Sequence, residues 1–227
     1  MSVSRVRLSR VFLSHFGVGF GAKRAANQAS LGTLILAAEL LDLIWPILLL
    51  TGIEHVAIKP GLMAASNLDL YFYPYSHSLE AALVWSLLLS VAYFAVRRDL
   101  RSATVVGLAV FSHWFLDFIS HRPDLPLTFQ DGPYFGLGAW NSLPLTVLLE
   151  LGIFTFGFVL YVRSTTAKDR IGRLGAWTLA VILVAIYFMS QFGPPAPSEQ
   201  AIGFTTLLLW ITVPLGYWID KHRKVNA

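Results

Sequence analysis

Six stretches of this chain, residues 30–52, 77–96, 101–120, 139–162, 174–192 and 201–220, are apolar and close to the roughly 20 residues a helix needs to cross a bilayer core. Hydrocarbon offers backbone amides no water to bond, so apolar stretches of this length are held to the helical form. The chain therefore reads as an all-α, polytopic transmembrane helix bundle, one integral membrane domain over residues 1–227. A further apolar run, Val11 to Ala22, covers only about 18 Å as a helix, short of the ~30 Å core. It is expected as an N-terminal half-helix, interfacial or tucked back into the protein.

Charge enters the argument through its scarcity and its placement. Only 13% of the residues are charged, against the ~25% usual in soluble domains, because most of the chain must lie where charge is costly. The net charge of +4 does not indicate nucleic acid, since the basic residues form short clusters between apolar runs. The lipid bilayer is the expected partner, and the sequence leaves the oligomeric state open. With no cysteine, disulfide and thiolate chemistry are excluded. The first 24 residues lack a secretory pattern, because Lys23 and Arg24 follow the apolar part and no cleavage-like site appears. With the N-terminus inside, 15 of the 17 Lys and Arg fall on the inner side, leaving only Lys59 and Arg122 outside. This asymmetry predicts cytoplasmic termini and outward loops at 53–76 and 121–138.

Against that apolar background the acids and histidines stand out. Glu39, Asp42, His113 and Glu150 fall near mid-span, Asp117 one turn outward, and Glu80, His77 and His121 toward the outer surface. Each ionised group at mid-bilayer costs at least ~2.5–3.5 kcal/mol, so each needs a partner or a wet cavity. In "SHWFLDFISHRPD", His113, Asp117 and His121 recur every four residues and so share one helical face. His113 and Asp117 offer a nitrogen and an oxygen together, a combination that zinc accepts. His77 with Glu80, and Glu39 with Asp42, sit at i and i+3, a second and third face-sharing pair. Three helices with two donors each are enough for one or two divalent metal ions, zinc foremost, with Glu80 or Asp42 as general base. His121 is expected as a third donor or, more in keeping with its place at the helix end, as a partner supporting the ligands. Glu150 has no second donor at ligand spacing, and His55 and His222 each stand alone near a surface, which favours structural roles for all three. The aromatics of "DLYFYPYSH" are expected to anchor the chain at the membrane interface.

Four motifs taken in order resemble those of the YdjM-like membrane proteins, a family described as membrane-bound metal-dependent hydrolases of the bacterial inner membrane. They are His15-Phe-Gly-Val-Gly19, "ELLDLIWP" with Glu39 and Asp42, Ser76-His77-Ser78, and the His113 to Asp117 pair, together covering about half the chain. The resemblance implies a metal site built from His15, Asp42, His77, His113 and Asp117. This sequence departs from the pattern in two places: Pro46 follows Asp42 rather than preceding it, and Ser76 replaces a threonine. The charge topology starts the half-helix from the cytoplasmic side, away from the outer cluster. Either that half-helix dips to mid-bilayer or His15 is no ligand, and the topology favours the second.

Three functions fit these features. The first is a metal-dependent hydrolase acting on a lipid or phosphoester near the outer leaflet. The second is a transporter, permease or proton- or cation-conducting protein, against which stands the lack of an internal repeat and of paired broken helices. The third is a non-catalytic membrane assembly factor whose polar groups join helices.

Overall fold

The computed structural model describes residues 13–130 and 132–226. Arg5, Arg7 and Arg10, which contribute to the orientation argument, and the first two residues of the expected half-helix lie outside them. In chain order the elements are α1 (Leu13–Ala22), α2 (Leu31–Ala38), α3 (Leu40–Leu50), the hairpin of β1 (His55–Ile58) and β2 (Leu68–Phe72), and the short α4 (Pro74–His77). Then come α5 (Leu79–Arg97), α6 (Leu100–Ser120), the hairpin of β3 (Leu125–Pro126) and β4 (Tyr134–Phe135), and α7 (Leu143–Ser164). The chain ends with β5 (Thr165–Ala167), α8 (Arg170–Phe192), α9 (Glu199–Leu207), α10 (Thr212–Lys221) and β6 (Arg223–Val225). All three strand pairs are antiparallel, and each sheet has two strands.

Helices α5, α6, α7, α8 and the unit Glu199–Lys221 are each long and apolar enough to cross a membrane. Helices α2 and α3 meet that test only together, as a pair bent by 57°. The expected bundle of about six spans is therefore present, with one span broken. A sharp bend calls for a local cause, such as a side chain inserted into the hydrogen-bond ladder. Here His113 Nδ1 lies 2.8 Å from the Ala38 carbonyl oxygen, the acceptor that an unbroken helix would pair with the Asp42 amide. The break leaves Asp42 in the first turn of α3, where the helix dipole favours a carboxylate.

The half-helix α1 lies inside the bundle, with Leu13, Phe16 and Phe20 fully buried. Its partner is α7, and glycines permit the approach: a Cβ at Gly157 would stand 1.8 Å from the Gly17 carbonyl oxygen. Glu150, on α7, accepts the Ser14 backbone N–H at 2.7 Å, satisfying one of the amides a helix start leaves unpaired. Seated this way, α1 bridges two apolar cores. One includes Leu41, Trp45, Val106, Val110 and Trp114, and the other Phe20, Phe154, Phe158 and Leu183.

Helices α5 and α6 form a hairpin with unequal faces. Ser86 donates to the Gly107 carbonyl at 2.6 Å and Ser90 to the Ala103 carbonyl at 2.8 Å, the small-residue packing that holds helices together in lipid. The opposite side of α5 presents Val84 and Leu88 outward, a surface suited to lipid. The inward side of α6 carries His113 and Asp117.

Candidate metal centre

Four helices deliver the polar residues. His15 comes from α1, Asp42 from α3, His77 from the last position of α4, and His113 and Asp117 from α6, with His121 capping the C-terminal end of α6. All six are at most 6% exposed. Asp117 is the hub. Its Oδ1 lies 3.3 Å from His15 Nε2 and 3.9 Å from His121 Nε2, while its Oδ2 lies 3.4 Å from His113 Nε2 and 3.9 Å from His77 Nε2. Asp42 Oδ1 stands 3.3 Å from His77 Nε2 and 3.9 Å from His113 Nε2. The His15 and His113 rings stack, their centroids 3.7 Å apart.

The far side of three imidazoles decides what the near side presents. His113 Nδ1 faces the Ala38 carbonyl, which can only accept, so this nitrogen carries the proton. His121 Nδ1 lies 3.0 Å from Asp124 Oδ1, again an acceptor. His77 Nδ1 lies 2.7 Å from Ser76 Oγ, and the Ser76 hydroxyl proton is committed to Glu54 Oε2 at 2.6 Å, so Nδ1 donates here as well. A neutral imidazole with Nδ1–H turns its lone pair out through Nε2, the arrangement seen where histidines ligate metals. Lone pairs therefore face carboxylate oxygens across the centre. Two atoms show the consequence directly: His113 Nε2 and Asp117 Oδ2 are buried without a hydrogen-bond partner among the described residues.

Two overlapping groups, His15–His113–Asp117 and Asp42–His77–His113, keep their ligand atoms within 4.8 Å of one another, so these buried groups could hold a metal ion. With bonds of ~2.0–2.2 Å, tetrahedral ligands sit ~3.3–3.6 Å apart, and the 3.3–3.9 Å contacts of His77, His113, Asp42 and Asp117 approach that spacing.

The structure corrects three expectations. His15 belongs to the cluster: α1 need not cross the membrane to reach it, because burial against α7 carries it there. Glu80 does not belong. Helix α4 stops at His77, Ser78 caps the start of α5, and the i, i+3 spacing no longer means a shared face. Glu80 is exposed, and its Oε2 accepts the Phe129 amide at 3.0 Å. The aromatic stretch is divided, with Tyr71 and Tyr75 exposed and Tyr73 buried beside His121. Glu39 is buried at the α2–α3 break, with no hydrogen-bond partner for its Oε1 among the described residues. His55 and His222 lie away from the cluster, 3.6 Å from Glu199 and 2.6 Å from Asp169.

Sequence reasoning missed the groups behind the ligands. Glu54, fully buried, carries no spacing signal, because long-range folding alone brings it to Ser76, and Asp124, 7% exposed, meets His121 through the turn that follows α6 rather than along a helix face. Burial pushes the Glu54 carboxyl above its ordinary range, and the hydrogen bonds from Ser76 work against that rise. Burial likewise raises the Tyr73 phenol well above its usual value, with Asp124 adding to the effect. Tyr73 thus stays a neutral hydroxyl, 3.2 Å from His121 Nδ1. Arg122 binds both Asp124, at 2.9 Å, and Asp69, joining this end of the site to β2. In comparisons with protein families, curated proteins and solved structures, nothing matches this chain.

Proposed function

We propose that this protein is a membrane-embedded, metal-dependent hydrolase acting on a lipid or phosphoester. The observation that carries the reading is the pair of acceptors turned on one another, His113 Nε2 and Asp117 Oδ2, buried 3.4 Å apart without a hydrogen-bond partner among the described residues, a pair that a cation would satisfy. His77, His113, Asp42 and Asp117 are the residues to hold that cation, with His15 beside them, and the resemblance to YdjM-like hydrolases selects the same five. Zinc suits this nitrogen and oxygen set, and a bound zinc supplies Lewis acidity toward a water or an ester oxygen. The chain itself orients the imidazoles and withdraws the centre from bulk water. With Asp42 among the residues to hold the cation, the proton acceptor falls to Glu39, whose Oε1 is unengaged among the described residues. With basic clusters inside, the outward loops would place the site toward the outer leaflet of the bacterial inner membrane.

Elemental analysis of purified protein tests the reading. Wild type should hold zinc or another divalent metal near stoichiometrically and His113→Ala should hold none; equal content in both would end it. A second reading, cation conduction, gains from the broken α2–α3 span, since discontinuous helices line ion sites in transporters. Flux of the metal into liposomes, without hydrolysis of any lipid offered, would favour it.

A further inference from the structure

One fully buried carboxylate lies outside the ligand set and is turned on the start of α4, above all on Ser76. Glu54 follows the α3 turn, and its Oε1 accepts the Ser76 backbone N–H at 2.8 Å while its Oε2 accepts the Ser76 hydroxyl at 2.6 Å. A buried carboxylate so placed is costly unless it is fully hydrogen-bonded, and here a two-point clamp on Ser76 supplies the bonds. Ser76 is itself fully buried. Its oxygen, with its proton directed at Glu54, can offer only a lone pair to His77 Nδ1, 2.7 Å away. The far ring nitrogen, Nε2, then faces Asp42 and Asp117.

We propose that Glu54, acting through the Ser76 hydroxyl, is the positioning residue that fixes the His77 tautomer and ring orientation for ligation. The inference rests on the metal reading above and extends it to a relay that ends in the 51–54 turn. Its physical logic is directional. The carboxylate orients the hydroxyl, the hydroxyl demands a proton from Nδ1, and that proton leaves Nε2 bare toward the centre. Without the hydroxyl the ring has no reason to prefer this tautomer, and a neutral His77 that places its proton on Nε2 cannot ligate. Asp124 performs the same service for His121 in one step, which shows that the fold supplies a carboxylate to both outer histidines.

The experiment uses the full-length protein in detergent, with zinc alone as the probe. Zinc affinity is measured by chelator competition for wild type, Ser76→Ala, Glu54→Gln and Ser76→Thr. In parallel, nitrogen NMR of labelled histidine without metal reads the His77 tautomer. Ser76→Ala and Glu54→Gln should bind zinc 10–100-fold more weakly, the usual loss when a ligand's supporting partner is removed, and should lose the uniform Nδ1–H tautomer. Ser76→Thr, which keeps the hydroxyl, should restore both. Wild-type affinity and tautomer in Ser76→Ala would overturn the proposal. So would a Thr variant that melts like wild type yet binds as weakly as Ser76→Ala. Should wild type take up no zinc, the metal reading falls, and the tautomer comparison still decides the relay.

Discussion

Two clusters of buried charge occupy this molecule, and they are built on opposite plans. Around Lys23, Asp220 and Arg223, every donor meets an acceptor. Lys23 Nζ reaches Asp220 at 2.8 Å and the Ala29 carbonyl at 2.7 Å, and Tyr161 donates to Asp220 at 3.4 Å. Arg223 bonds Thr165 through Nε and Nη2 and the Gly172 carbonyl through Nη1, with its guanidinium 5.2 Å from the Tyr161 ring centre. Around Asp117 the Nδ1 atoms of His113, His77 and His121 are spent behind the ligands, and His113 Nε2 and Asp117 Oδ2 are left without a hydrogen-bond partner among the described residues. The first arrangement is complete as it stands and clamps the termini of α1, α7 and α10 together. The second could hold a cation. Burial and charge are alike in the two, so the balance of donors and acceptors, rather than the residue types, separates a structural clamp from a binding site.

The contrast breaks most visibly at its two centres. Asp117→Ala should cause the largest loss of zinc affinity while lowering the melting temperature of the metal-free protein less than loss of the clamp does, since Oδ2 has no hydrogen-bond partner among the described residues and only Oδ1 faces a nitrogen, His15 Nε2 at 3.3 Å. Lys23→Met should do the reverse. It strands Asp220 in a buried position, and removing one member of such a pair costs about 3 kcal/mol; zinc affinity should not move. A Lys23→Met protein that loses zinc as readily as Asp117→Ala would erase the distinction. Calorimetry and chelator competition on the same preparations read both quantities.

A smaller effect tests the layer behind the ligands. Asp124→Asn keeps the shape beside His121 but no longer demands its Nδ1 proton, so zinc should bind about 10–100-fold more weakly. Lowering the pH through the histidine range near 6.5 should weaken binding in every variant that still binds, because imidazole must be neutral to ligate. Affinity that rises on acidification would contradict the assignment of neutral rings.

The smallest effect belongs to the clamp's exposed edge. Asp169 caps α8 by accepting the Gly172 amide and also pairs with His222, and these bonds hold its carboxyl below the ordinary range. The fold thus favours the ionised form. Its stabilisation is present above the unfolded value near 3.9 and is lost as the pH falls through the lower folded value. Melting temperature should decline more steeply below about pH 4 in wild type than in Asp169→Asn, which caps without titrating. Parallel slopes would remove Asp169 from the account.

Much of this was legible because the physics that governs it is local. Apolar length marks every span, and the four-residue spacing of His113, Asp117 and His121 places them on one buried face of α6. What escaped depends on interruption and on distance. Glu80 fails as a partner of His77 because Ser78 ends one helix and caps another between them. His15 is set apart when the question is whether the stretch Val11 to Ala22 can cross a bilayer. The structure shows that a helix enclosed by protein, with Glu150 accepting the Ser14 amide, has no need to cross. Glu54 is separated from Ser76 by 22 residues and from any recognisable spacing.

The seating of α1 carries a consequence for biogenesis. The ligands lie between residues 15 and 117, so synthesis through α6 supplies every one of them. Yet His15 is held in place by Gly157 and Glu150, which emerge from the ribosome later, with α7. The first ligand made is thus the last to be locked, and a nascent chain halted before α7 would carry the full ligand set without a finished centre. On the proposed metal reading, loading is in this way tied to the completion of α7.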